Sequence, residues 1–331
     1  MLNGKTILVT GGTGSFGHHF VDYVLKNYQP QKIIIYSRDE YKQFIMDNRY
    51  AEYRDVLRYF IGDVRDEARL ERAMKGVDYV IHAAALKQVP ACEYNPNEAI
   101  KTNVNGAMNV INASLNCGIK KVVALSTDKA VNPINLYGGT KLVSDKLFCA
   151  ANAYSGGDGT IFSVVRYGNV AGSRGSVIPF FQNKIENGET ELPITDFRMT
   201  RFWISLEQGV ELVIKALEES RGGETFISKI PSFRITDLAE AMLPGGKPKE
   251  VGIREGEKLH EIMVTAEDSM QTYEYEKNYI IYPNYNWFKR DNIIPGGKLV
   301  KPGFEYSSGL NEVFLTVEEL RERLKTDLDK H

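Results

Sequence analysis

The chain has 331 residues, 43% of them apolar and 25% charged, with a net charge of −2. That is the make-up of an ordinary globular protein, long enough for one large and one smaller domain. It excludes the basic field that a nucleic acid or an acidic membrane surface would call for. Cys92, Cys117 and Cys149 are odd in number and widely spaced, without a CxxC pair. A disulfide framework or zinc site is not expected, which fits a reducing cytosol. The five histidines (His18, His19, His82, His260, His331) have no metal-ligand spacing, so no metal is expected. The opening MLNGKTILVTGG enters a strand at once and leaves no room for a signal peptide. No apolar run reaches the ~18 residues of a membrane span. The expectation is a cytoplasmic protein with no membrane and no nucleic-acid partner.

In chain order, Lys5 to Thr10 reads as a buried parallel strand. Gly11, Thr13, Gly14, Ser15, Phe16 and Gly17 follow, with Gly11, Gly14 and Gly17 in a GxxGxxG spacing before an apolar helical pattern. A glycine triplet alone is only a tight turn. Between a strand and a helix it lets backbone approach a pyrophosphate, which the helix N-terminus attracts. The second strand, Lys32 to Tyr36, ends in Ser37, Arg38 and Asp39, with Lys42 nearby. A hydroxyl and two cations suit the 2′-phosphate of NADP better than NAD; Asp39 leaves NAD open.

The third strand, Arg58 to Ile61, leads to Asp63 and Val64. That pair is placed to meet an adenine ring, or Asp63 caps the helix that follows. The fourth, Tyr79 to His82, leads to Ala83, Ala84 and Ala85, small enough for a cofactor to lie on the backbone, and then to Lys87. The helix from Pro96 to Asn116 carries Asn103, a polar anchor for the strand ends. With the fifth strand, Lys121 to Leu125, strands and helices alternate through the first ~130 residues. This predicts an α/β fold, a Rossmann-type doubly wound parallel sheet. Ligands of such sheets sit outside the carboxyl ends of the strands.

The fifth strand ends in Thr127, Asp128 and Lys129. Tyr137 and Lys141 follow, four residues apart, so a helix puts them on one face. An ammonium near a phenol lowers its pKa from about 10 and makes it an acid/base group. On its own such a pair is commonly a surface Tyr and Lys. Its convergence with the glycine turn on one sheet edge gives it weight. After a sixth strand, Phe162 to Asn169, a glycine-rich turn leads through Ser173, Arg174, Gly175, Ser176 and Val177 to Phe180, and the alternation stops. Arg174, Arg201 and Arg254 each sit beside glycine or a turn. Singly they are solvated charges; together they could bind a diphosphate. The expected division is 1–170 for dinucleotide binding, with later segments able to return to it, and 171–331 mainly for a substrate lobe and tail. Tyr273 to Trp287 is expected to pack on the lobe or another subunit. Thr316 opens a capping box with Glu319.

TGGTGSFG, YSRDE, FIGDV, IHAAALK, STDKA, NLYGGTK, RYGNV, GSRGSV, PITD, MTRFWI and IREGEKLHE together resemble the extended short-chain dehydrogenase/reductase superfamily. More narrowly, they resemble the inverting UDP-N-acetylglucosamine 4,6-dehydratases that open pseudaminic acid biosynthesis. The match runs from about residue 3 to residue 310. Ordinary nucleotide-sugar 4,6-dehydratases carry Asp-Glu after the threonine, where this chain has Asp128-Lys129. Membrane-anchored retaining relatives tend to have Met at the catalytic Tyr, where this chain keeps Tyr137. Departures are Gln88 in place of His, Gly139 in place of Ala, and a divergent 265–300 region.

The resemblance implies UDP-GlcNAc as partner, NADP as cofactor, and dimers that often assemble into hexamers. It makes Tyr137, with Lys141, the acid/base at the sugar C4 hydroxyl, with Thr127 steadying the C4 oxygen. Lys129 becomes the C5 base, which requires a neutral amine with a pKa pushed well below ~10.4 by burial and Lys141. Asp128 becomes the acid at the departing C6 hydroxyl. Substrate contacts would come from Lys87, Asn169, the Ser173–Val177 turn, Thr195, Met199, Arg201, Arg254 and Glu257. Competing readings are a retaining 4,6-dehydratase, a UDP-sugar 4-epimerase, and a non-catalytic NADP-binding sensor or scaffold.

Overall fold

The computed structural model describes residues 1–156, 159–172 and 176–328. Its centre is a ten-stranded sheet. The first half runs β1 (Thr6–Thr10), α1 (Ser15–Asn27), β2 (Lys32–Ser37), α2 (Glu40–Arg49), β3 (Leu57–Ile61), α3 (Glu67–Met74) and β4 (Tyr79–His82). It continues with α4 (Val89–Tyr94), α5 (Pro96–Ile100), a π-helical turn (Lys101–Asn105), α6 (Gly106–Asn116), β5 (Lys121–Leu125), α7 (Leu136–Ala151) and β6 (Ile161–Arg166). β2 and β4 both pair with β1 in parallel, Val9 opposite Ile35 and Ile81. The chain therefore reverses direction across the sheet between β1 and β4, the crevice where doubly wound sheets take their ligands.

Side chains alternate across this sheet because successive residues of a strand point to opposite faces. Val9, Ile35, Val123 and Val165 pack with Phe20, Val21 and Val24 of α1 and with Leu212 and Val213 of the helix Leu206–Glu219. Leu8, Ile34, Val122 and Val164 pack on the other face with Leu70, Val110 and Phe148. Both faces are covered, so the strands read as unbroken apolar runs.

The later chain returns to the sheet further than the alternation predicts. Thr225–Ser228 adds a parallel strand beside β6, and Asn278–Ile281, Thr272–Glu274 and Lys298–Leu299 extend it antiparallel. Tyr279 and Tyr282 are therefore buried in the core of the large sheet, not against the lobe. What sits over the strand ends is a smaller layer with its own core, including Ile178, Phe181, Leu192, Ile194, Trp203, Phe233 and Leu238. The expected capping box is present: Glu319 N–H donates to Thr316 Oγ1 and Thr316 N–H to Glu319 Oε2. Trp203 Nε1 then ties the last helix to this layer through Asp327. No helix among the described residues is long and apolar enough to cross a membrane. The cysteines are free.

Candidate active site

The strand ends and the lobe enclose a cleft of about 1400 Å³. Its nucleotide end is the β1–α1 turn. Gly11 has φ +66, and a Cβ there would lie 2.9 Å from the Ala84 Cα, so glycine lets the two strand-end loops touch. A Cβ on Gly17 would lie 2.0 Å from the Gly12 carbonyl oxygen, so the first turn of α1 closes on the glycine loop only without one. Gly14 caps α1 with no side-chain bond, which leaves first-turn N–H groups for an anion. Thr13, Ser15 and Phe16 line the same wall. This cradle and its donors fit a dinucleotide pyrophosphate.

At the ribose end, Ser37 Oγ accepts from Gln43 Nε2 at 2.9 Å. Asp39 caps α2 and pairs with Lys42 at 2.9 Å, so its carboxylate is already engaged. Arg38 is the loosest cation here, 3.8 Å from Asp63. Asp63 does not cap α3; Asp66 does, and Asp63 instead binds Arg65. Val64, Ala83, Ala84 and Lys87 line the cleft. Asn103 does not line it: it is 1% exposed, and its amide binds both main-chain groups of Leu86 at 2.8 Å. It anchors the β4 loop, as its anchor reading predicts.

The chemical end is the β5–α7 connection. Asn135 caps α7 through the Gly138 N–H, and a Cβ on Gly138 would lie 2.1 Å from the Lys129 carbonyl oxygen. Glycine thus lets α7 pack on the 128–130 turn. Gly139 faces open space, so replacing the expected Ala costs no contact. Tyr137 and Lys141 share the buried face of α7 and line the cleft. Burial pushes the Tyr137 phenol up to about 12, against the pull of the Lys129 charge and a hydrogen bond with Thr127. Burial also lowers the Lys141 ammonium, against Asp145. The expected lowering of the phenol by Lys141 is therefore not what this arrangement gives; the cation facing the phenol is Lys129.

Lys129 departs further from expectation. Its Nζ donates to Asp128 Oδ1 at 3.1 Å and Asn169 Oδ1 at 3.0 Å, and lies 3.3 Å from Glu261 Oε1. Three acceptors match the three donors of an ammonium. Burial would lower its pKa, but Asp128 and Glu261 outweigh burial and raise it. This favours the charged amine, and Lys141 is not the neighbour that decides it.

Burial and Glu261 raise the Asp128 carboxyl above its usual range, against the pull of Lys129 and Thr127, so it takes up a proton more readily than a free carboxylate. Its Oδ1 accepts from both Thr127 Oγ1 (2.9 Å) and Lys129, whereas Oδ2 has no partner. Asp128 is also 0% exposed and sits behind Thr127. It therefore reaches the cleft only through its neighbours.

On the lobe side, Asn169, Ser176, Val177, Thr195, Met199, Arg201, Arg254 and Glu257 all line the cleft. Ser173, Arg174 and Gly175 lie outside the described residues. Arg201 does not offer a fork to a diphosphate: its Nη groups go to the Thr200, Leu259 and Lys258 carbonyls, and its Nε faces Glu261 at 3.6 Å. Arg254 is exposed, over the Phe180 ring. Ser176 caps the helix Val177–Glu186 with no side-chain cap bond, giving a second anion-accepting N-terminus. Among the described residues no carboxylate, cysteine and histidine group could hold a metal. Glu261 is the residue sequence reasoning missed. The signal was a carboxylate opening the apolar run Ile262-Met263-Val264, where an unpaired charge is rarely tolerated.

The polysaccharide biosynthesis protein family matches residues 7–283 of this chain. An inverting UDP-N-acetylglucosamine 4,6-dehydratase of Campylobacter jejuni is 57% identical over 328 residues, 97% of this chain and 98% of its own length. A UDP-glucose 4-epimerase of Rickettsia akari is 48% identical over 271 residues, 80% of this chain and 79% of its own. Among solved structures, Pen from Bacillus thuringiensis is 38% identical with a TM-score of 0.90 and 99% of each chain covered. The chain belongs to the polysaccharide biosynthesis protein family and, within it, to the inverting UDP-N-acetylglucosamine 4,6-dehydratases.

Proposed function

We propose that the chain converts UDP-GlcNAc to the 4-keto-6-deoxy sugar with inversion at C5, using NADP, as the opening step toward pseudaminic acid. The observation that carries this reading is the chain of contacts from Tyr137 through Thr127, Asp128 and Lys129 along one cleft wall. An epimerase needs one acid/base station at C4. Here a second station, a carboxyl and an amine, stands beside the first.

The glycine cradle, Arg38 and Lys42 would hold NADP, which when bound would supply the hydride acceptor and donor for the sugar and, in its oxidised form, positive charge in the cleft. Tyr137 takes the C4 hydroxyl proton. Thr127 Oγ1 steadies the C4 oxygen and, bonded to Asp128, is the route by which the enclosed carboxyl protonates the leaving C6 hydroxyl. Lys129 works on C5 from the neutral form. It reaches that form by passing its proton across the 3.1 Å contact to Asp128, which turns an ammonium–carboxylate pair into an amine–carboxylic acid pair. After elimination the pair is again ammonium and carboxylate, and a proton returned to C5 on the opposite face, matching the hydride at C6, completes the inverted product. Arg254 and the helix N-terminus at Ser176 hold the diphosphate. A cytoplasmic homo-oligomer, a dimer or hexamer, goes with this reading.

The Rickettsia epimerase relative supports a second reading, a UDP-sugar 4-epimerase. NMR of the product from UDP-GlcNAc separates them. A 6-methyl doublet with inverted C5 is expected; a 4-epimer with an intact 6-hydroxyl, or a retained C5, overturns the proposal. No turnover at all would leave a dinucleotide-binding scaffold.

A further inference from the structure

Glu261 is a carboxylate with almost no contact with solvent, 2% exposed, and the C4 chemistry gives it no task. Its main chain is fixed twice over: its N–H donates to Ser308 Oγ at 2.9 Å, and its carbonyl accepts the Ser308 N–H at 2.8 Å. Its Oε1 lies 3.3 Å from Lys129 Nζ and 3.6 Å from Arg201 Nε. Its Oε2 is buried with no hydrogen-bond partner among the described residues. The segment leading to it is tied across the catalytic turn: Asn135 Nδ2 donates to the Gly256 carbonyl at 2.8 Å, and Lys258 Nζ donates to the Val131 carbonyl. A buried carboxylate held this firmly is costly unless its charge is used.

We propose that Glu261 is a positioning residue for C5 proton abstraction: gripped by Arg201, its carboxylate orients Lys129 Nζ and stabilises the ammonium that forms there. This rests on the dehydratase reading. In the step, the C5–H electron pair becomes the C5–C6 double bond and the C6–O pair leaves with the hydroxyl. The C5 proton goes to Lys129 and the Asp128 proton to the departing oxygen, giving water. Positive charge thus develops on Lys129 in the transition state, next to a fixed anion, and interactions that strengthen there accelerate the step.

The charged and titratable groups facing Lys129 are Asp128 from its own turn, Tyr137 from α7, Lys87 from the β4 loop, and Arg201, Lys258 and Glu261 from the lobe. Without the Glu261 charge, three cations face the amine and Asp128 alone opposes them. The Asp128–Lys129 pair then loses its shared proton at lower pH, and the amine is a weaker base.

The test compares wild-type holoenzyme with Glu261→Gln, using UDP-GlcNAc in D2O. The readouts are deuterium entry at C5 and the near-ultraviolet absorbance of reduced nicotinamide, across pH. In Glu261→Gln, the alkaline limb of C5 exchange is expected to move down by about one pH unit, tenfold in proton affinity. Its plateau falls about tenfold or more, while nicotinamide reduction at C4 is unchanged. Should that variant fail to fold, Glu261→Asp carries the test. It keeps the charge but not the reach, so the limb stays and the C5 plateau falls relative to nicotinamide reduction. An unshifted limb in folded Glu261→Gln, an undiminished C5 plateau in Glu261→Asp, or equal loss of both readouts in either variant overturns the inference. A wild type that makes no 6-deoxy product overturns the dehydratase reading and the inference together.

Discussion

On the sheet side of the cleft, Thr127, Asp128, Tyr137 and Lys141 hang from one strand end and one helix, so local structure alone sets their spacing. On the lobe side, Arg201, Arg254 and Glu261 come from a short strand and an irregular segment whose place is set by contacts with distant residues such as Ser308 and Asn135. In the proposed mechanism the sheet side carries the groups that change protonation at the sugar, and the lobe side holds the substrate and sets the charge around those groups. Rigid catalytic groups on regular elements, with binding and tuning on loops, is a division that lets chemistry stay fixed while recognition varies.

That contrast predicts graded effects. Tyr137→Phe removes the phenol assigned to the C4 hydroxyl and is expected to lower kcat by about 10³-fold, within the range for a lost general acid/base, with dinucleotide affinity kept. A fall of less than about tenfold would move C4 proton transfer to another group. Next, Gly17→Ala places a Cβ against the Gly12 carbonyl and is expected to lower stability by about 3 kcal/mol. Denaturant unfolding with and without dinucleotide reads this; an unchanged midpoint would show that the turn can relax. Smallest is Arg254→Ala on the lobe side. It is expected to raise KM for UDP-GlcNAc about tenfold, about 1.4 kcal/mol, with kcat kept, as loss of uniform binding does. A fall in kcat with KM unchanged would place Arg254 at the chemistry and blur the two sides.

The two sides were also unequally legible in the sequence. Apolar runs ending in small or polar residues announced the sheet edge, and the four-residue spacing placed Tyr137 and Lys141 on one face of α7. The Asn103 anchor was legible because a polar residue buried in a helix needs a partner; that its amide would be spent on Leu86 was not. The protonation state of Lys129 could not be read locally. Two of its three partners, Asn169 and Glu261, lie 40 and 132 positions away in sequence, and charge adds in space, not along the chain. The run Tyr273 to Trp287, expected on the lobe or another subunit, instead puts Tyr279 and Tyr282 in the large-sheet core for a similar reason. Antiparallel pairing of Asn278–Ile281 with Thr225–Ser228 is long-range, and nothing within the tyrosine run specifies it.

The central claim is that two neighbouring stations act on adjacent carbons, Tyr137 on the C4 hydroxyl and Lys129 on C5. Lys129→Ala in D2O with UDP-GlcNAc tests it most directly. The account predicts that nicotinamide is still reduced while deuterium entry at C5 and release of the 6-deoxy product stop. Undiminished C5 exchange, or loss of nicotinamide reduction together with exchange, would contradict it.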